Sequence, residues 1–191
     1  IFAGTPPLEA LRCLIHEAAT IRNKDDQHSK VIMINDVARA FFEAPAVRQV
    51  CVELPDEDMT NSDRSADRVG HLKMSLYGTR DAAMNWQEEV AKEMVRWGFR
   101  RGRYNPCIYW HAQSGLMTLV HGDDFVSVGR KEPTDQFKKM LEARFAIKTQ
   151  VIGAPRVEGG ARASSASGNS KDQSVQEGRI LNRVVRWTPE G

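Results

Sequence analysis

Two adjacent acids, Asp123 and Asp124, sit between apolar segments in Val120-His121-Gly122-Asp123-Asp124-Phe125. If those segments pair as strands, the acids fall in a tight turn. Neighbouring carboxylates repel, and apolar surroundings raise the cost of keeping both charged. A divalent cation removes the repulsion. Hard carboxylate oxygens suit Mg²⁺, which takes a few carboxylates together with substrate phosphates. Gly122, without a side chain, lets a backbone or a substrate come close. Acids beside glycine are also ordinary turn formers, so the motif alone leaves a plain hairpin turn open.

Asp36 closes a second apolar run, Val31-Ile32-Met33-Ile34 followed by Asn35. By itself one acid after a strand is equally a cap or a turn residue. Combined with Asp123 and Asp124 on one sheet edge, it completes a set able to share two metal ions about 4 Å apart, the arrangement of in-line phosphoryl or nucleotidyl transfer. A third block, Ser75-Leu76-Tyr77-Gly78-Thr79-Arg80-Asp81-Ala82-Ala83 with Trp86, reads as strand, glycine break and helix start. Backbone N–H groups at such a start can hold an anion. A glycine turn with Trp86 in the core is the simpler account of that block alone. Lys92, Arg96, Arg100, Arg101 and Arg103 gather around a helix end. They can contact phosphates, although the helix dipole explains cations there more simply.

The elements that must position these residues are read from periodicity. Leu8, Leu11, Leu14, Ile15 and Ala18 keep helical spacing after Thr5-Pro6-Pro7, with Thr5 as cap and an end near Ile21. Residues 23–29 read as a loop, 30–35 as a buried strand, 50–54 as a short strand, 56–70 as a long surface loop and 72–76 as a strand. Ala83, Trp86, Val90, Met94 and Trp97 predict a helix over 79–97, with Gly98 as C-cap. Residues 107–111 and 116–121 predict two strands joined at Ser114-Gly115, and 125–128 a third. Phe137, Met140, Leu141 and Phe145 predict a helix over 133–145. Residues 154–178 have linker composition, and 180–187 form an apolar island. Strands and helices mix without regular alternation, which predicts an α+β fold with helices on a mainly antiparallel sheet.

Composition narrows the function classes. The chain has 191 residues, 41% hydrophobic and 27% charged, with a formal net charge of +2. That suits one domain, or one domain and a tail. Any nucleic-acid partner must therefore be held by a local basic surface. No apolar run is long enough to span a membrane, and Glu9, Arg12, His16 and Glu17 interrupt the only candidate signal stretch. Cys13, Cys51 and Cys107 offer neither a disulfide framework nor a Cys-x-x-Cys site, which points to a reducing, intracellular setting. The five histidines lack zinc-ligand spacing. Gly159-Gly160 has no phosphate-loop context, and no Gly-x-Ser-x-Gly nucleophile is present. A start at Ile1 and a stop at Gly191 suggest a piece of a longer chain.

Four blocks in order carry a resemblance. They are Ile34-Asn35-Asp36-Val37-Ala38-Arg39-Ala40-Phe41, Ser75-Leu76-Tyr77-Gly78 with Trp86, Gly98-Phe99 with Asn105-Pro106-Cys107-Ile108-Tyr109, and Gly122-Asp123-Asp124. Together they resemble the reverse transcriptase of copia-type retrotransposons, from about Thr5 to Gly153. The segment Ile180-Leu181-Asn182-Arg183-Val184-Val185-Arg186-Trp187 is similar to the stretch C-terminal to this domain in some copia-type polyproteins.

The resemblance implies a polymerase palm-like antiparallel sheet packed on helices, with part of the fingers and without the thumb. It implies palm over residues 1–153, a flexible linker over 154–179 and the truncated start of a further segment over 180–191. Asp36 matches the first catalytic aspartate, which holds both ions. Asp123 matches the direct ligand of the adjacent pair, and Asp124 its less engaged neighbour. The cofactor implied is Mg²⁺ or Mn²⁺. Phe41 matches the bulky residue beneath the sugar of the incoming nucleotide, where a ring excludes a ribose 2′-OH. Tyr77, Gly78 and Arg80 match the block that positions template and nucleotide. The implied partners are an RNA or DNA template with its primer, a dNTP and the remainder of a Pol polyprotein, in the cytoplasm or the nucleus.

Three positions depart from the family pattern. His121 stands where a tyrosine is usual, Gly122 where valine or methionine is common, and Arg39 where a small polar residue is common. These departures, and the missing upstream and downstream segments, leave two other readings open. One is an inactive retroelement remnant with residual nucleic-acid binding. The other is a non-enzymatic α+β interaction domain whose acids are turn residues.

Overall fold

The computed structural model describes residues 4–20, 30–153 and 175–188. In chain order the elements are α1 (Leu8–Ala19), β1 (Lys30–Val37), β2 (Cys51–Val52), α2 (Asn61–Ser65), β3 (Gly70–His71), α3 (Ala82–Arg96), β4 (Arg100–Arg101), β5 (Ile108–His111), β6 (Leu116–His121), β7 (Asp124–Arg130), α4 (Lys131–Arg144), β8 (Ile147–Ile152), β9 (Glu177–Ile180) and β10 (Arg183–Arg186). The result is a mixed α/β protein with four α-helices among the described residues and a six-stranded sheet of order β4-β5-β6-β7-β1-β8, every pairing antiparallel. Two compact units divide the chain. One comprises residues 1–4 and 39–93, and the other residues 5–38 and 94–191.

The second unit contains the whole six-stranded sheet. Successive residues of a strand face opposite ways, and both faces of β1 and β7 are buried. Ile32, Ile34, Leu119, Val126, Val128 and Ile152 line one face under Ala10, Leu11 and Leu14 of α1. The apolar stripe of α1 at positions 10, 11 and 14 is what turns this helix to the sheet. The other face meets α4: a Cβ at Gly129 would stand 3.7 Å from Thr134 Oγ1 and 2.7 Å from Leu116 Cδ1. On α4, Phe137 meets Trp97 and Phe99 at 5.9 and 4.9 Å between ring centroids. Gly98, at φ 89°, ends α3 with its N–H on Val95 O, as the sequence predicts.

A hairpin of β9 and β10 completes this unit. Leu181 and Asn182, both at positive φ, form the two-residue turn. Ile180, with Leu181, Val185 and Trp187, packs against the α1 face of the core. Residues 177–179, expected as the end of a linker, are therefore strand. The part of the expected linker over 154–174 lies outside the described residues. Helix α1 ends at Ala19 with Thr20 as its C-cap, two residues before the expected end near Ile21.

The first unit is built from β2, β3, α2 and most of α3. Cys51 and Val52 pair with His71 and Gly70, and an isolated bridge joins Pro45 to Met74. The strand expected over 72–76 thus reduces to this bridge, with pairing already complete at His71. The expected long loop over 56–70 contains α2, started by a reciprocal capping box. Thr60 Oγ1 accepts from Asp63 N at 3.2 Å, and Asp63 Oδ2 accepts from Thr60 N at 3.0 Å. Thr5 does not cap α1; Pro7 holds that position without a side-chain bond.

Three further corrections concern the second unit. Strand β1 runs to Val37, so Asp36 lies within the strand and not after it. Strand β8, unforeseen from Ile-Lys-Thr-Gln-Val-Ile, covers the far side of β1. Strand β4, equally unforeseen, forms the other edge of the sheet.

Candidate metal centre

Register brings the acids together. Asp36 on β1 lies directly across from Asp124 on β7, and Asp124 is also the partner of His121 on β6. Gly122 and Asp123 are the two residues between β6 and β7. Gly122 has φ 60° and Asp123 does not share the positive sign, the pattern of a II′ turn with glycine in its first central position. A side chain at 122 would meet nothing within 4 Å, so glycine is there for the backbone and not for space. The turn is tied to the neighbouring strand by Val37 N donating to Asp123 O at 2.9 Å. Beside Asp36, the fully buried Asn35 donates through Nδ2 to Thr149 Oγ1 at 2.8 Å and locks β1 to β8.

One carboxylate oxygen from each of Asp36, Asp123 and Asp124 lies within 4.8 Å of the others. Asp123 is exposed and Asp124 half-buried. Burial, then the charges of Asp123 and Asp36, push the Asp124 carboxyl above its ordinary range, and His121 partly opposes them. Three converging carboxylates, one of them strained toward its neutral form, are a donor set matched to a hard divalent cation. The sequence pointed to all three acids, and the cross-strand match of Asp36 to Asp124 is what brings Asp36 to the adjacent pair.

The other expected site residues lie in the first unit. Phe41 sits in a 3-10 turn, Ala40–Glu43, directly after Arg39 at φ 56°. Its ring stacks on Tyr77 at 4.3 Å, and Phe42 leans on the same ring at 5.7 Å. Gly78 adopts φ 88°, which only glycine takes without strain. Arg80 is exposed.

Asp81, Arg48 and Asn85, to which the sequence assigned no role, hold this block. Asp81, buried just before α3, pairs with Arg48 at 2.9 Å and receives Asn85 Nδ2 at 3.4 Å. Asn85 also donates to Ser75 Oγ at 3.0 Å, and Ser75 Oγ donates to Pro45 O at 3.2 Å. The hydrogen bond from Arg48 holds the Asp81 carboxyl below its ordinary range. A carboxylate of the protein therefore already supplies negative charge beside the start of α3. The acid at 81 in a polar glycine turn was the available clue.

An antiparallel sheet that presents two carboxylates at the β6–β7 hairpin and a third on the adjacent β1 offers a candidate divalent-cation site. The family model described as "Reverse transcriptase (RNA-dependent DNA polymerase)" matches residues 10–154. The chain belongs to that reverse transcriptase family.

Proposed function

We propose that this chain is the palm, with part of the fingers, of a copia-type retrotransposon reverse transcriptase, and that it carries RNA-directed DNA polymerase activity. The convergence of Asp36, Asp123 and Asp124 within 4.8 Å carries the reading. In it, residues 1–153 are the polymerase part, and the chain is a portion of a Pol polyprotein. Asp36 and Asp123 would hold Mg²⁺ or Mn²⁺, with Asp124 less directly engaged. The bound ions supply charge neutralisation at the triphosphate and acidity toward the primer hydroxyl. The reaction joins the primer 3′ oxygen to the α-phosphorus of a dNTP and breaks the bond to pyrophosphate.

The remaining roles belong to this chain's own side chains. Phe41, held by Tyr77, presents a ring that a ribose 2′-OH would strike, which favours deoxynucleotides. Tyr77, Gly78 and Arg80 position template and nucleotide. Gly122 supplies the positive φ that the turn carrying Asp123 requires.

Primer extension on an RNA template with Mg²⁺ or Mn²⁺, wild type beside Asp123→Asn, tests this. Extension by the wild type and a loss of at least about a hundredfold in the variant are expected, as for removal of a group that acts in the transition state. Equal extension by both removes Asp123 from the assigned role. His121 and Gly122, which replace the family's usual residues, favour a second reading, the inactive remnant. Metal binding without extension by a folded chain identifies it.

A further inference from the structure

The outer edge of the six-stranded sheet is basic and aromatic. Residues 94–122 contain no acidic side chain and four arginines: Arg96, Arg100, Arg101 and Arg103. Arg100 and Arg101 are strand β4 itself, the edge of the sheet. Arg100 is exposed and lies directly across from Trp110, whose side chain is 43% exposed. In the connecting loop, Tyr104 is 95% exposed, with the Arg103 guanidinium 5.9 Å from its ring centroid. Each exposed ring therefore has an exposed arginine beside it.

The loop that displays Tyr104 is tightly built. Gly102 N donates to Ile108 O at 2.7 Å, and Ile108 N donates to Asn105 O at 3.1 Å. Cys107 N donates to Asn105 Oδ1 at 3.1 Å. Arg101 Nε donates to Pro106 O at 3.0 Å, so this arginine braces the loop. A Cβ at Gly102 would collide with Asn105 O. The connection from β4 to β5 thus holds an aromatic ring in water on a fixed backbone. An exposed ring loses nothing by stacking on a base, and a fixed one loses little conformational freedom in doing so.

We propose that the β4–β5 edge binds single-stranded nucleic acid. Bases stack on Tyr104 and Trp110 while Arg100 and Arg103 meet the phosphates. Strands β5 and β6 lie between this edge and β7. Three strand spacings put it roughly 14 Å across the sheet from the acids. The surface is separate from the metal centre and does not depend on the polymerase reading. An acidic protein would satisfy the arginines but give the rings no stacking partner. Arginines on a short edge strand also deter pairing with another sheet, and the test separates that role from binding.

Fluorescence anisotropy of labelled oligo(dT) and oligo(U), about 12 nucleotides long, is measured against the full chain over a range of salt. Binding that weakens with salt is expected. Tyr104→Ala and Trp110→Ala each weaken binding about fivefold or more, the scale of one lost base stack. Arg100→Glu combined with Arg103→Glu weakens it further and flattens the salt dependence. Binding is measured with EDTA and without dNTP, so failure of the polymerase reading leaves this result intact. Tyr104 is so exposed that its alanine variant keeps the wild-type melting curve, and its binding is read on folded protein. Comparison of the two oligonucleotides tells an RNA ligand from a DNA one. No binding by the wild type overturns the proposal, as does undiminished binding by Tyr104→Ala.

Discussion

At the residue scale, Asp124 is the informative group. Its carboxyl lies above the ordinary value of 3.8, because of burial first and then Asp123 and Asp36. A folded-state value raised above the unfolded one means that the native state binds more protons over that interval. Without metal, this residue's contribution to stability therefore falls as pH rises from about 3.8 through its raised value, and is then constant. Asp124→Asn removes this fall and stabilises the metal-free chain at neutral pH by less than about 1 kcal/mol, the modest size reflecting partial exposure to water. Urea unfolding of both proteins at pH 4 and pH 7 checks it. A variant less stable than the wild type at pH 7 contradicts the electrostatic account. The adjacent acids were legible in the sequence because two apolar runs isolate them. The grouping of Asp36 with them was also legible; its exact pairing with Asp124 was not, because which residue of β1 faces which residue of β7 is set by register.

At the element scale, the long periodic segments were readable and the short polar ones were not. The helices α1, α3 and α4 repeat apolar residues every three to four positions, and burial of that stripe is what stabilises them. Strand β8 escaped because Lys148 and Gln150 interrupt its apolar residues, and because pairing with β1 stabilises it more than its own sequence does. Strand β4 is two arginines, which carry no strand signal at all. Helix α2 had a readable start in Thr60-Asn61-Ser62-Asp63, but five residues carry too little periodicity to register.

The block before α3 makes its own prediction. The pair of Asp81 with Arg48 holds the Asp81 carboxyl below 3.8. Its stabilising effect is complete above that value and is lost as pH falls through the depressed one. Arg48→Ala lowers the melting temperature at pH 7 and shrinks its further drop between about pH 4 and pH 2. Melting curves over that interval decide, and an acid limb as steep as that of the wild type rules the ion pair out as its cause.

At the scale of the whole molecule, the two units carry different parts of the proposed activity. The acids belong to the unit with the six-stranded sheet, and Phe41 and Tyr77 to the other. The family match ends at residue 154, yet the hairpin of residues 177–186 packs on the α1 face of the sheet unit. Ile180 is 1% exposed there. Ile180→Ala should therefore cost about 2–4 kcal/mol in denaturant unfolding, as for any large core side chain cut to a methyl. No change would mean that the hairpin is peripheral to the core. Sequence composition could not show this attachment, because the apolar island of 180–187 is too short to reveal what it packs against.

In the proposed function, Asp36, Asp123 and Asp124 form one divalent-cation centre. Its most direct test is Mn²⁺ binding to the folded chain by electron paramagnetic resonance, wild type beside Asp36→Asn and Asp123→Asn. Expected are saturable binding by the wild type, displacement by Mg²⁺, weakening as pH falls and Asp124 takes up its proton, and about tenfold or greater loss of affinity in each variant, the lower end for removing one charged ligand. Wild-type affinity retained in both variants would contradict it and leave the acids as turn residues.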